Sequence, residues 1–140
     1  MSQETPRFPL DIRFSDLDAM GHVNNAVYFT YFEEARKYIF FKYLRSEARP
    51  TFNFILARSI CDYRAPLLLE DRAEIEIWVA DVGNKSFTIG YRIVDGEKPG
   101  KIYATGESVL VSYDYKAEKS VAIDDEMRGI LVSLKREVPA

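Results

Sequence analysis

The stretch Asp16-Leu17-Asp18-Ala19-Met20-Gly21-His22-Val23-Asn24-Asn25-Ala26-Val27-Tyr28 gathers residues whose types and spacing could do chemistry. It carries two carboxylates, the chain's one histidine and two adjacent asparagines, placed just before a segment without Gly or Pro. The first N–H groups of a helix lack internal partners and carry partial positive charge. Amides near Asn25 could therefore receive an anion or the oxygen of a polarised carbonyl. Asp18 precedes Asn25 by seven residues, near enough in a tight loop to face the same point. A carboxylate beside a carbonyl held at a helix start suits acyl transfer or hydrolysis. Asp18 would either act as a base on water or attack to form a mixed anhydride, and the residues leave both open. Plainer roles stand beside these. Asn24 or Asn25 would cap a helix whatever the function, Asp18 would serve as an ordinary loop carboxylate, and a lone loop histidine such as His22 is commonly a hydrogen-bonding group. One His and one Cys, far apart, do not make a zinc site, and a Ser-His-Asp triad would rest on the same His22.

The elements that must position this stretch can be read from pattern. Residues 8–15 alternate as a strand, and residues 16–25 form a loop. Residues 26–45 contain no Gly or Pro and predict a helix about 30 Å long at 1.5 Å per residue. Tyr28, Phe32, Ala35 and Ile39 form one apolar row on it, while Phe29, Tyr31, Tyr38, Phe40 and Phe41 lie elsewhere around it. A helix apolar around most of its circumference is normally enclosed by other elements, which predicts a helix wrapped by a sheet. Strands are predicted at residues 54–63, ending before Pro66, at 73–79, at 87–93 and at 102–115. The last places Val109, Val111, Tyr113 and Tyr115 on one face. Asp124 can cap a short final helix with Met127, Ile130, Leu131 and Leu134 on its inner side. The order predicts one α+β domain spanning residues 1–140.

Composition narrows the function classes. Of 140 residues 47% are apolar, with nine Tyr and nine Phe, so a packed core is expected rather than disorder. A net charge of −3 leaves no basic footprint for nucleic acid. Charged residues interrupt every long apolar stretch, so no membrane span is expected. The start of the chain shows no export signal. Cys61 is the single cysteine; it reads as a buried inert thiol, and a reducing, cytoplasmic setting is expected.

The motif Asp18-x-x-Gly21-His22-Val23-Asn24-Asn25, with Tyr28, Tyr31 and Glu33-Glu34-Ala35-Arg36 after it, resembles the signature of the 4-hydroxybenzoyl-CoA thioesterase-like acyl-CoA thioesterases. The likeness is greatest to the long-chain acyl-CoA branch of that hotdog superfamily. Cys61-Asp62-Tyr63-Arg64-Ala65-Pro66 is similar to the family's second strand and following turn. Gly83-Asn84-Lys85-Ser86-Phe87 is similar to its coenzyme A-contacting turn, and residues from Ile123 onward to its closing helix. The chain departs at Leu69-Glu70-Asp71, where the family often has Gly-Asp. The resemblance implies a hotdog fold, an antiparallel sheet around one long helix, with two subunits joining sheets and active sites at their interface. It implies that Asp18 is the catalytic carboxylate, that the Asn25 N–H polarises the thioester carbonyl, and that Tyr28 lines the acyl pocket. Lys85 and Ser86 fall on the nucleotide-binding turn, where Lys supplies a point charge and Ser a hydroxyl donor. Arg64 is a candidate for the same task or a brace for the Pro66 turn. His22 is a further catalytic candidate at a position where branches differ, and branches with their acid on the long helix make Glu33 and Glu34 second candidates. As exposed residues, those two would pair with Lys37. The implied function is hydrolysis of a medium- to long-chain acyl-CoA, with coenzyme A part of the substrate and no cofactor, by a homodimer or homotetramer. An acyl carrier protein thioesterase and a non-catalytic acyl-CoA binding module are the alternatives.

Overall fold

A computed structural model of the chain describes residues 4–47 and 52–137. Residues 1–3, at the start read above as lacking an export signal, lie outside the described residues. Strands β1 (Arg7–Pro9), β2 (Phe54–Tyr63), β3 (Ala73–Val82), β4 (Ser86–Asp95) and β5 (Ile102–Asp114) form one antiparallel sheet in the order β1-β3-β4-β5-β2. A short β6 (Lys119–Ser120) pairs with the end of β5. Helix α1 (Val27–Ile39) crosses one face of this sheet and continues as a π-helical turn, Phe40–Leu44. Helix α2 (Asp125–Ser133) closes the chain, with Met127 N–H donating to its cap Asp124 as the sequence predicts. Among the described residues no helix is long and apolar enough to cross a membrane.

Alternation explains the sheet. Ile75 and Ile77 of β3 and Phe87, Ile89, Tyr91 and Ile93 of β4 are buried in the core, the side-chain period of two bringing each set to one face. On β5 the predicted row of Val109, Val111 and Tyr113 is the half-buried outer row. The helix side is instead formed by Ala104, Gly106, Ser108 and Leu110. One other expectation needs correction. The strand predicted over residues 8–15 pairs with β3 at Arg7–Pro9, and the Leu10 N–H still donates to Ala73 O at 3.0 Å; β3 begins at Ala73, so the pairing ends there, and the chain turns into a 3₁₀ segment at Phe14–Asp16. The antiparallel sheet curls around α1 as the pattern predicts, and one face of the helix remains at the surface. Tyr28, Tyr31, Phe32, Ala35 and Ile39 are buried, whereas Tyr38, Phe41 and Tyr43 stay exposed. Glu33 and Glu34 do lie near Lys37, at 3.9 and 3.7 Å, on the solvent side.

The β4–β5 connection has a measurable consequence. Tyr103 donates its hydroxyl to Asp95 Oδ2 at 2.6 Å, and the Glu97 and Lys98 N–H groups donate to Oδ1 at 2.8 Å each. These bonds favour the ionised form and hold the Asp95 carboxyl down at about 2, the Tyr103 bond first among them. Because an unfolded Asp titrates near about 3.9, Asp95 contributes stability that is full above that pH. It is lost as pH falls from about 4 towards 2. Urea-unfolding midpoints measured across this range should fall less steeply for Asp95→Asn than for the wild type, because that variant has no carboxyl to protonate.

Candidate active site

The loop between β1 and α1 is fastened at both ends before it presents Asp18. Asp16 is 2% exposed and receives the Arg13 N–H at 3.0 Å, the Arg13 guanidinium at 2.9 and 3.2 Å, and the Tyr31 hydroxyl at 2.8 Å. Burial pushes the Asp16 carboxyl up, but the Arg13 and Tyr31 hydrogen bonds together outweigh it, and the carboxyl is held below its usual range. Its backbone oxygen accepts the Asn24 N–H at 2.8 Å. One buried carboxylate therefore ties the loop to the first turns of α1. Nothing in residue type distinguishes Asp16 from Asp18 in the sequence; burial separates an anchor from a candidate catalyst.

Asp18 is exposed and oriented by the backbone. Its N–H donates to His22 O at 2.8 Å, and its carbonyl accepts the Gly21 N–H at 3.1 Å. Its carboxylate Oδ1 accepts N–H groups from Met20 at 2.8 Å and His22 at 3.2 Å. Gly21 has φ +81°, a left-handed conformation that costs glycine little and lets the loop curl its amides onto Oδ1. No hydrogen bond among the described residues engages Oδ2, which leaves one carboxylate oxygen for chemistry. His22 contributes its backbone to this arrangement, and its side chain stands at the same opening.

The start of α1 is built from Asn24. Its side-chain Oδ1 accepts the Ala26 N–H at 2.8 Å, and its carbonyl accepts the Val27 N–H at 2.9 Å. A trans peptide points its N–H away from its C=O. The Val27 bond to Asn24 O therefore turns the Asn25 N–H outward, and no hydrogen bond among the described residues uses it. Tyr63, at the end of β2, donates its hydroxyl to the Asn25 carbonyl at 2.5 Å.

Asp18, His22, Asn25, Tyr28 and Arg64 line a single open cleft of about 370 Å³, together with Val23, Tyr63, Ala65 and Pro66. Tyr28 is 3% exposed and meets Tyr63 edge-on, ring centroids 4.9 Å apart. Arg64 lies at the exposed rim, and its backbone N–H and that of Ala65 both donate to Tyr103 O, at 2.8 and 3.1 Å. Cys61, half-buried on β2, is pushed up to about 11 by burial and stays a neutral thiol.

Lys85 and Ser86 are not in this cleft. Tyr63 pairs with Ala104, which pairs with Ile93, while Ser86 pairs with Val111 at the other end of β4. The eight residues from Ile93 back to Lys85 correspond to roughly 26 Å at 3.3 Å per residue. A larger cavity of about 610 Å³ opens at that far end, lined by Phe52, Phe54, Ser112 and Tyr113, and Ser112 N–H donates to Lys85 O at 2.8 Å. Sequence reading missed Asp16 and Tyr63 as parts of the site. A tyrosine ending an apolar strand carries no signal until the fold sets it beside the helix start.

The family described as the thioesterase-like superfamily matches residues 12–131. The chain belongs to this superfamily. Like other members it is a thioester hydrolase of the hotdog fold. It is 28% identical over 127 residues to the long-chain acyl-CoA thioesterase FadM of Escherichia coli (strain K12), covering 85% of this chain and 91% of that protein. A thioesterase of Thermus thermophilus, solved as a complex with coenzyme A and Zn, is 30% identical, with a TM-score of 0.78 over 92% of this chain and 93% of that one. A predicted thioesterase from Bacillus stearothermophilus superposes with a TM-score of 0.82 at 25% identity, covering 95% and 98% of the two chains. The chemistry of a thioesterase-like protein accounts for the pairing of a half-free carboxylate with an outward amide. One can activate or attack while the other stabilises the oxygen on which charge develops.

Proposed function

We propose that this chain is an acyl-CoA thioesterase acting on medium- to long-chain substrates, with Asp18 as its catalytic carboxylate. The observation that carries this is the shared cleft, in which Asp18 stands with Oδ2 unengaged beside the outward Asn25 N–H and the buried Tyr28 ring. The thioester oxygen would lie on the Asn25 N–H. Asp18 Oδ2 would then take a proton from water as hydroxide adds to the carbonyl carbon, or attack that carbon itself. Either way the C–S bond breaks, the thiolate leaves and is protonated, and one water is consumed. Single turnover in H₂¹⁸O followed by peptide mass analysis tests the second route, since label on Asp18 arises only when water opens a mixed anhydride at the Asp18 carbonyl. Thioesters are activated acyl donors, so positioning and one stabilised oxyanion suffice, with no further cofactor.

The working unit in this reading is a homodimer in the cytoplasm. Strand β2 is the sheet's last strand, paired on one side only among the described residues, and exposes Ile55, Leu56 and Tyr63. A long unpaired edge with apolar side chains invites strand pairing. Antiparallel pairing of two β2 strands about a two-fold axis would set the Tyr63 end of one against the Phe54 end of the other. That would carry Lys85 and Ser86 of the partner subunit to the Asp18 cleft, spanning the distance that separates them in one chain. Phosphate contact by Lys85 is ground-state binding, so Lys85→Ala should raise KM for acyl-CoA about tenfold and change kcat little in steady-state assays.

The deciding assay incubates the protein with acyl-CoAs of two to eighteen carbons and follows free thiol with a chromogenic reagent. A kcat/KM that rises with chain length is expected. Absence of thiol release from every member would sink the hydrolase reading for coenzyme A substrates.

A further inference from the structure

The hydrogen bond from Tyr63 to Asn25 holds a carbonyl that lies just outside the helix ladder. Helix α1 starts at Val27 with Ala26 as its cap, so the first intrahelical acceptor is Ala26 and the Asn25 carbonyl has no partner within the helix. Phe29 N–H donates to Ala26 O at 3.3 Å, and the Asn25 carbonyl takes the Tyr63 hydroxyl at 2.5 Å. Both peptide planes flanking Asn25 are thereby fixed. The one before it is held by Val27 N–H on Asn24 O at 2.9 Å. The one after it is held by Tyr63 on its carbonyl and by Asn24 Oδ1 on its N–H at 2.8 Å. With both planes set, the direction of the Asn25 N–H is set as well.

We propose that Tyr63 is a positioning residue for catalysis, aiming the Asn25 N–H at the thioester oxygen by gripping the adjacent carbonyl from the end of β2. The inference rests on the thioesterase reading above. Tyr63 spans two elements, since its backbone belongs to the sheet edge and its hydroxyl belongs to the helix start. Its ring stands edge-on to Tyr28, so the same side chain forms part of the cleft wall. Burial, with Cys61 adding, pushes its phenol up to about 12, so it remains a donor throughout the range in which a thioesterase works. Donors aimed in advance at developing charge act in the transition state, so misaiming one should lower kcat and leave KM alone.

The test is Tyr63→Phe, which keeps the ring against Tyr28 and removes only the hydroxyl. Loss of an entire oxyanion donor costs about 10²–10³-fold in kcat. For a donor that is present but misaimed we expect roughly tenfold, with KM for dodecanoyl-CoA within twofold of wild type. Two further readouts separate aiming from mere support. Carbonyl ¹³C NMR of the free protein should show the Asn25 resonance moving upfield in Tyr63→Phe. In the Asp18→Asn background, isotope-edited infrared spectra of bound dodecanoyl-CoA should show the thioester C=O stretch shifted down. Adding Tyr63→Phe should return most of that shift. Wild-type kcat in Tyr63→Phe, or a defect confined to KM or melting temperature, would overturn the proposal while leaving the thioesterase reading intact. A wild-type protein that releases no thiol from any acyl-CoA removes the thioesterase reading, and this role with it.

Discussion

Asp18→Asn should lower kcat for acyl-CoA hydrolysis by at least about a hundredfold, the scale of losing a catalytic acid–base group, while the protein stays folded. The expectation follows from how the carboxylate is held. Oδ1 already accepts two backbone N–H groups, from Met20 and His22, and an asparagine carbonyl can take over that acceptor role. The turn at Gly21 and the ladder bond to His22 O do not involve the side chain. What asparagine cannot supply is a basic or nucleophilic Oδ2. Thiol-release kinetics and thermal melting measured on the same preparation check both halves of the expectation. A variant with wild-type turnover would exclude Asp18 from the mechanism by either route.

Phe32→Ala should produce the largest loss of stability, about 3–5 kcal/mol in urea unfolding, the range for truncating a buried Phe. Phe32 has no exposed surface. Its ring stacks on Tyr91 at 4.2 Å and 6°, and meets Phe29 edge-on at 5.9 Å. The seat for the ring is the bare backbone of Gly106, where a Cβ would come within 2.5 Å of the Phe32 ring and 2.7 Å of Ile60 O. Neither neighbour is a flexible chain end. Gly106→Ala should therefore cost about 1–3 kcal/mol by overpacking. The two changes should not add, because an alanine at either position alters the space the other uses; a double-mutant cycle reads the coupling. Since domains commonly hold about 5–15 kcal/mol in total, Phe32→Ala should lower activity through the folded fraction. Activity per folded molecule, measured below the melting transition, should change much less than in Asp18→Asn.

These two results would separate what the residues show from what the fold shows. The alternation of β3 and β4, the Asp124 cap and the extent of the long helix were legible because they depend on local periodicity and local hydrogen bonds. Asp18, Asn25 and Tyr28 were legible as a group because they fall within one short stretch that opens a helix. Asp16 and Tyr63 were not. An anchoring carboxylate and a catalytic one have the same residue type, and only the packing of Arg13 and Tyr31 around Asp16 tells them apart. Tyr63 is 38 residues from Asn25, and antiparallel pairing of β2 with β5 is what brings its hydroxyl to the helix start.

The same division covers Lys85 and Ser86. Their types and turn suit a phosphate, and the sequence by itself determined that much, as it determined the α+β order and the carboxylate-before-helix motif. Only the tertiary structure decided that they stand at the opposite end of the sheet from Asp18. It likewise decided that the helix keeps an exposed face and that β2 offers an unpaired edge. Strand order and register are set by contacts between residues far apart in the chain. Local propensity carries no record of them, and the distance between a candidate phosphate group and a candidate catalyst depends on nothing else.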